Sequence, residues 1–219
     1  MDTRWVASRE CIDSTDMDAP LAQAPPAWID RSPLLVDAYS LAVAAHGKQR
    51  RPSDGRYFLD HVVEVADLLQ RAGFDDELVA VGLLHDAVER GTLSEEELRD
   101  EMGESISSLV LILSEDPGIE SFDRRKAGLR DQVAAAGGWA VTVYAADKLS
   151  DILGLRRGVE TAGEGIEERI GTSVASMTAH YGESVEMIES LRPGSAFLPA
   201  LRLEMQRLEA DVFGESDGR

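Results

Sequence analysis

Two histidines and two aspartates stand where they could share one cation: His61 in "YFLDH", His85 and Asp86 in "GLLHDAVERG", and Asp147 in "YAADKLSD". Imidazole nitrogens mixed with carboxylate oxygens suit a borderline divalent ion such as manganese, iron or zinc, with magnesium a further alternative, and such a site keeps positions open for water. A closed structural zinc cage fits less well, because such cages rely on thiolates and the chain has a single cysteine, Cys11. Neighbouring residues on a helix point about 100° apart, so His85 and Asp86 can meet one ion only in a cleft that other segments close. His61 and Asp147 are the donors available to close it. On a continuing helix Glu89 falls three residues after Asp86 and four after His85, on the same side and one turn along. From there its carboxylate could orient or deprotonate water made acidic by the ion.

Blander roles compete with these. An isolated histidine-aspartate pair is more often a capping or hydrogen-bonding feature than a pair of ligands, so the metal reading depends on the other segments. His46 precedes Gly47, where it could simply meet the last helix carbonyls. His180, in "HYG", has no ligand-type neighbours and is expected to be structural. The loop "KQRRPSDGRY" gathers Lys48, Arg50 and Arg51, and guanidinium forks match phosphate oxygens. Arg51 is therefore expected to bind substrate, with Arg50 a candidate beside it. The run Arg124 to Lys126 is explained equally well by an amphipathic helix face.

These residues need a scaffold, and the periodicity predicts an all-α one of about eight to ten helices. The first helix follows Ser32 as N-cap and Pro33 at the first position, and stops at Gly47. A second runs from about Asp60 to Ala72. A third starts after Asp75 and Asp76 and is carried to Gly91 by Leu78, Val79, Gly82, Leu83 and Val88. Ser94 and Glu97 form a reciprocal capping pattern before the next helical stretch, which continues to Pro117. "WAVTVYA" alone could be a strand, but its periodic segment extends to Leu153, longer than the usual ~5 to 6 residue strand, so a helix is expected. Two or three more helices follow. No internal repeat or Gly/Ser-rich linker divides the chain. The expected organisation is a flexible tail over 1–30, one domain over 31–213, and a frayed end over 214–219.

The 219 residues are 43% hydrophobic and 29% charged, a globular balance with room for a substantial core. No apolar run approaches the roughly 20 residues that span a bilayer, so no membrane is expected. The first ten residues lack the apolar centre of a secretory signal, and one cysteine excludes an internal disulfide, so a cytoplasmic setting is expected. A formal net charge of -19 repels polyanions, which argues against nucleic acid as a partner. A small phosphorylated ligand is compatible with that field if a metal and a few arginines make it locally positive.

Four ordered blocks, "AHGKQRR", "YFLDH", "GLLHDAVE" and "YAADKLSDI", resemble the signatures of the HD-domain metal-dependent phosphohydrolases, most closely the hydrolase domain of RelA/SpoT-type alarmone enzymes and their small stand-alone relatives. The likeness covers roughly Ser32 to Leu155. It implies a helical HD domain holding a manganese-like ion through His61, His85, Asp86 and Asp147. It also implies hydrolysis of a small phosphorylated nucleotide, with removal of pyrophosphate from the 3′ position of guanosine tetra- or pentaphosphate. By the same resemblance Arg51 contacts the nucleotide and Glu89 is the first of two acids that activate water. This chain departs from the pattern at three positions. Arg90 replaces the second acid, Asp151 stands where an asparagine would lie near the ribose, and Pro52 follows Arg51. Those departures motivate an alternative, an HD domain without turnover that acts as a nucleotide-sensing or protein-interaction module.

Overall fold

The computed structural model describes residues 25–214. The proposed tail up to residue 24, Cys11 included, and the proposed frayed end after Gly214 lie outside the described residues.

Nine α-helices form among the described residues, and no strand beyond an isolated bridge between Arg50 and Tyr57. They are α1 (Pro33–His46), α2 (Phe58–Arg71), α3 (Asp76–Leu84), α4 (Glu95–Ile112), α5 (Phe122–Ala136), α6 (Gly138–Ala162), α7 (Ile166–Ile170), α8 (Val174–Leu191) and α9 (Leu198–Phe213). The "WAVTVYA" stretch lies in α6, as expected from its length. Local chemistry sets most of the starts. Ser32, Asp75, Ser121 and Ser173 each accept a backbone N–H of the first turn, and Ser94 with Glu97 completes a capping box. Inside α4, Gly103 takes φ 78°, which breaks the ladder into two segments.

Helix α6 is the central post. It packs against α2, α3, α5, α8 and α9, and α3 is clasped between α1 and α2. Its run from Ala140 to Ser150 is buried all round, as a helix enclosed by others must be. Two glycines on α6 bring in the loop between α1 and α2. A Cβ at Gly158 would stand 1.9 Å from the Ser53 carbonyl oxygen, and one at Gly154 would stand 2.6 Å from Arg51 Nη1. Only the missing side chains let the loop lie against the post.

Three boundaries differ from the sequence reading. The packed chain begins before Ser32, inside the expected tail: Ile29 is buried and Trp28 Nε1 donates to Asp67 Oδ1 at 3.1 Å. Helix α2 starts two residues earlier than expected, at Phe58. Helix α3 ends at Leu84 rather than reaching Gly91. There the Gly82 carbonyl accepts from the His85 ring, and the chain tightens into an Ala87 N–H to Leu84 carbonyl bond of 2.9 Å. Residues 85–90 are thus turns, still joined by an Arg90 N–H to Asp86 carbonyl bond of 2.9 Å.

Candidate metal centre and cavity

His61 lies in the first turn of α2, His85 and Asp86 just past the end of α3, and Asp147 midway along α6. The fold brings all four together. His61 Nε2 stands 3.6 Å from Asp86 Oδ2 and 3.4 Å from Asp147 Oδ1, and His85 Nε2 stands 3.4 Å and 3.5 Å from the same two oxygens. Donors held about 2.0–2.2 Å from an ion are spaced roughly 3.0–3.4 Å apart at adjacent positions, so a cation fits after shifts of tenths of an ångström. All four side chains are buried.

The protein fixes which nitrogen of each imidazole faces this centre. His85 Nδ1 lies 2.9 Å from the Gly82 carbonyl, which can only accept, so in the neutral ring Nδ1 keeps the proton and Nε2 is the nitrogen left with a lone pair. That buried Nε2 has no hydrogen-bond partner. His61 is fixed less directly. Ser150 Oγ donates its one proton to Glu64 Oε2 at 2.7 Å, so at 2.9 Å from His61 Nδ1 it must be the acceptor. A carboxylate, a hydroxyl and an imidazole thus form a chain that aims His61 Nε2 inward, the usual outer-shell support for a ligating histidine. Glu64 and Ser150 were not singled out in the sequence, and no local signal marks them.

The charges also ask for a cation. Burial alone would lower the His85 pKa, but Asp86 and Asp147 outweigh it and push it up to about 9. Burial opposes ionisation of the two carboxylates as well, yet His85 and His61 hold Asp86 low, and Lys148 with both histidines holds Asp147 low. Asp151 approaches the same group, but both of its oxygens are engaged, Oδ1 by Arg51 at 2.8 Å and Oδ2 by Lys148 at 2.7 Å. That places it outside the set of free donors.

The centre opens into a cavity of about 320 Å³, within the range of small-ligand sites. Glu89 lines it, with Oε2 accepting the Glu115 N–H at 2.8 Å. Burial, then the Asp86 carboxylate, raises the Glu89 pKa against the opposing pull of Arg90. A carboxyl whose pKa is raised and which faces a cavity is a candidate for proton transfer. Arg51 also lines the cavity, 5% exposed, its charge met by Asp151 and by Asp54 at 3.7 Å. Arg50 does not line it. Its guanidinium stacks 3.6 Å above the Tyr57 ring and bonds the Gly55 carbonyl, so it clamps the loop. Asp151 does face the cavity, with its charge balanced by Arg51 and Lys148. Lys148, Arg125 and Lys126 join the lining, and the last two bind Glu115. Arg125 and Lys126 of the "RRK" run therefore serve the cavity, which an amphipathic pattern could not reveal.

The remaining histidines stay out of this centre. His46 stacks on Phe58 with ring centroids 4.9 Å apart and pairs Nδ1 with Gln49 Oε1, rather than meeting helix-end carbonyls. His180 Nδ1 contacts Arg130 Nη1 at 2.6 Å, and burial followed by nearby cations lowers its pKa.

A family profile described as "HD domain" matches residues 38–138, a span that contains His61, His85 and Asp86. The chain carries an HD domain. This HD domain is 40% identical over 77 residues to a probable guanosine-3′,5′-bis(diphosphate) 3′-pyrophosphohydrolase of Synechocystis, covering 35% of this chain and 10% of that protein. It is 39% identical over 77 residues to a GTP pyrophosphokinase of Brucella ovis, again 35% and 10% of the two chains. With the guanosine-3′,5′-bis(diphosphate) 3′-pyrophosphohydrolase of Haemophilus influenzae it shares 33% over 92 residues, 42% of this chain and 13% of that one. The chain thus aligns with about a tenth of the length of these curated relatives. Among solved structures, a metazoan ortholog of SpoT superposes with a TM-score of 0.66 at 22% identity, covering 81% of this chain and 94% of that one. A Listeria monocytogenes protein gives 0.60 at 25%, covering 68% and 97%. The all-α HD-domain fold is therefore established, and with it the implication of a divalent metal at the histidine-aspartate group. No helix among the described residues is long and apolar enough to cross a membrane.

Proposed function

We propose that this HD domain is a divalent-metal-dependent phosphohydrolase, with manganese as the favoured ion and guanosine tetra- or pentaphosphate as the favoured substrate. The carrying observation is the convergence of two imidazole Nε2 atoms and two carboxylate oxygens at 3.4–3.6 Å, beside a cavity lined by Arg51, Lys148, Arg125 and Lys126. The names of the Synechocystis and Haemophilus relatives support the substrate class. When bound, the ion polarises a phosphoryl oxygen and makes water acidic.

The chain's own side chains do the rest. His61, His85, Asp86 and Asp147 hold the ion. Glu89, tethered through Oε2 by the Glu115 N–H, takes the proton of the attacking water. Water adds to the phosphorus bonded to the 3′ oxygen, that P–O bond breaks, the 3′ oxygen takes up a proton to become a hydroxyl, and pyrophosphate is released as the second product. Arg51 and Lys148, anchored through Asp151, offset the charge of an anionic ligand.

A second reading keeps the binding and drops the turnover. It is favoured by Asp151, whose carboxylate already occupies two of the cations a phosphate would need. Manganese-loaded protein is to be assayed against guanosine tetraphosphate, nucleoside mono- and triphosphates, and NADPH. Turnover of the tetraphosphate that Asp86→Ala abolishes supports the hydrolase, whereas tight binding with no turnover of any of them supports the sensor.

A further inference from the structure

Five cations line the cavity, and four are hydrogen-bonded to protein oxygens. Arg51 bonds Asp151, Lys148 bonds Asp151, and Arg125 and Lys126 bond Glu115. Arg90 differs. Its Nε forms ion pairs with Glu89 Oε1 at 3.3 Å and Asp86 Oδ1 at 3.7 Å, with a hydrogen bond to neither. Among the described residues its terminal nitrogens make no hydrogen bond, and its side chain is 42% exposed.

The base of this arginine is held firmly. Its carbonyl accepts from Gln49 Nε2 at 2.7 Å, its N–H bonds the Asp86 carbonyl, and Gln49 is itself braced by buried His46. The guanidinium lies with its Cζ 5.9 Å from the centre of the Phe58 ring. A forked cation with open donors is thus presented to the cavity between a carboxylate of the metal group and the proposed proton acceptor. Asp86 cannot saturate it, because Oδ2 of that carboxylate already faces the two imidazoles.

The geometry points to Arg90 as the residue that grips a phosphoryl group of the substrate, with the fork matching two phosphoryl oxygens. This rests on the proposed hydrolase reading and adds a substrate contact to it. It also gives the exchange of an acid for a cation at this position a purpose: the site gives up a possible second water holder and gains a phosphate anchor.

The test is calorimetric titration of inorganic pyrophosphate into the full chain, manganese-loaded and metal-free, for wild type, Arg90→Gln and Arg90→Lys. Loss of a hydrogen bond to a charged group predicts pyrophosphate binding weaker on the order of 10- to 100-fold in Arg90→Gln, with partial recovery in Arg90→Lys. Manganese affinity in Arg90→Gln stays equal or rises, since a cation near Asp86 has gone. Equal pyrophosphate affinity in wild type and Arg90→Gln overturns the assignment, as does a parallel loss of manganese and pyrophosphate. Failure of the wild type to take up manganese overturns the proposed function instead, and the metal-free comparison still decides the role of Arg90. Melting temperatures identify a variant that has lost its fold, in which case Arg90→Lys against wild type carries the measurement.

Discussion

Replacing Ser150 by alanine removes one oxygen from a fully buried position and breaks two hydrogen bonds, 2.9 Å to His61 Nδ1 and 2.7 Å to Glu64 Oε2. The imidazole loses the acceptor that fixed its proton on Nδ1, so nothing favours the tautomer and ring orientation that aim Nε2 at the centre. Removing such an outer-shell partner weakens metal binding roughly 10- to 100-fold, or about 1.4–2.7 kcal/mol. The orphaned Nδ1–H also lowers stability by about 1–3 kcal/mol, which a thermal melt registers. Manganese titrated calorimetrically into chelator-stripped Ser150→Ala is compared with wild type at one pH. Glu64→Gln keeps the shape but removes the charge, and falls between the two. If Ser150→Ala, folded by circular dichroism, binds manganese within twofold of wild type, the hydroxyl is not what positions His61 and the argument for the tautomer fails.

Glu89→Gln keeps the tether to Glu115 but cannot take a proton, so kcat drops by about 10²- to 10⁴-fold with little change in KM, measured by pyrophosphate release. Metal affinity rises with pH: His85, with a pKa of about 9 before the ion binds, must lose its proton, so affinity gains about tenfold per unit up to that pH and levels off above it. Titrations in buffers of different ionisation enthalpy at pH 7 then detect release of about one proton per ion, and no release would contradict the raised value. Gly158→Ala places a methyl 1.9 Å from the Ser53 carbonyl oxygen and destabilises by about 1–3 kcal/mol or more, seen as a lower Tm.

The helices could be read from the sequence because their signals are local. Ser32, Asp75 and the Ser94–Glu97 pair cap bonds within three residues, and the cap geometry needs nothing from the rest of the fold. The histidine-aspartate group was legible for a different reason: the pair alone fits a capping role equally well, and it was the order of four blocks resembling a known family that pointed to a shared ion. The early end of α3 was not, because Val88 keeps the apolar period going while the His85 ring competes for a helix carbonyl. Nor were the partners that tune the site. Arg51 meets Asp151 at 100 residues' separation, Glu64 meets Ser150 at 86, and Glu89 meets the Glu115 N–H at 26. A hydrophobic period tells which face of each helix turns inward. Which polar atoms then come within 3 Å of one another depends on how far each helix slides and rotates against its neighbours, and only packing around α6 sets that.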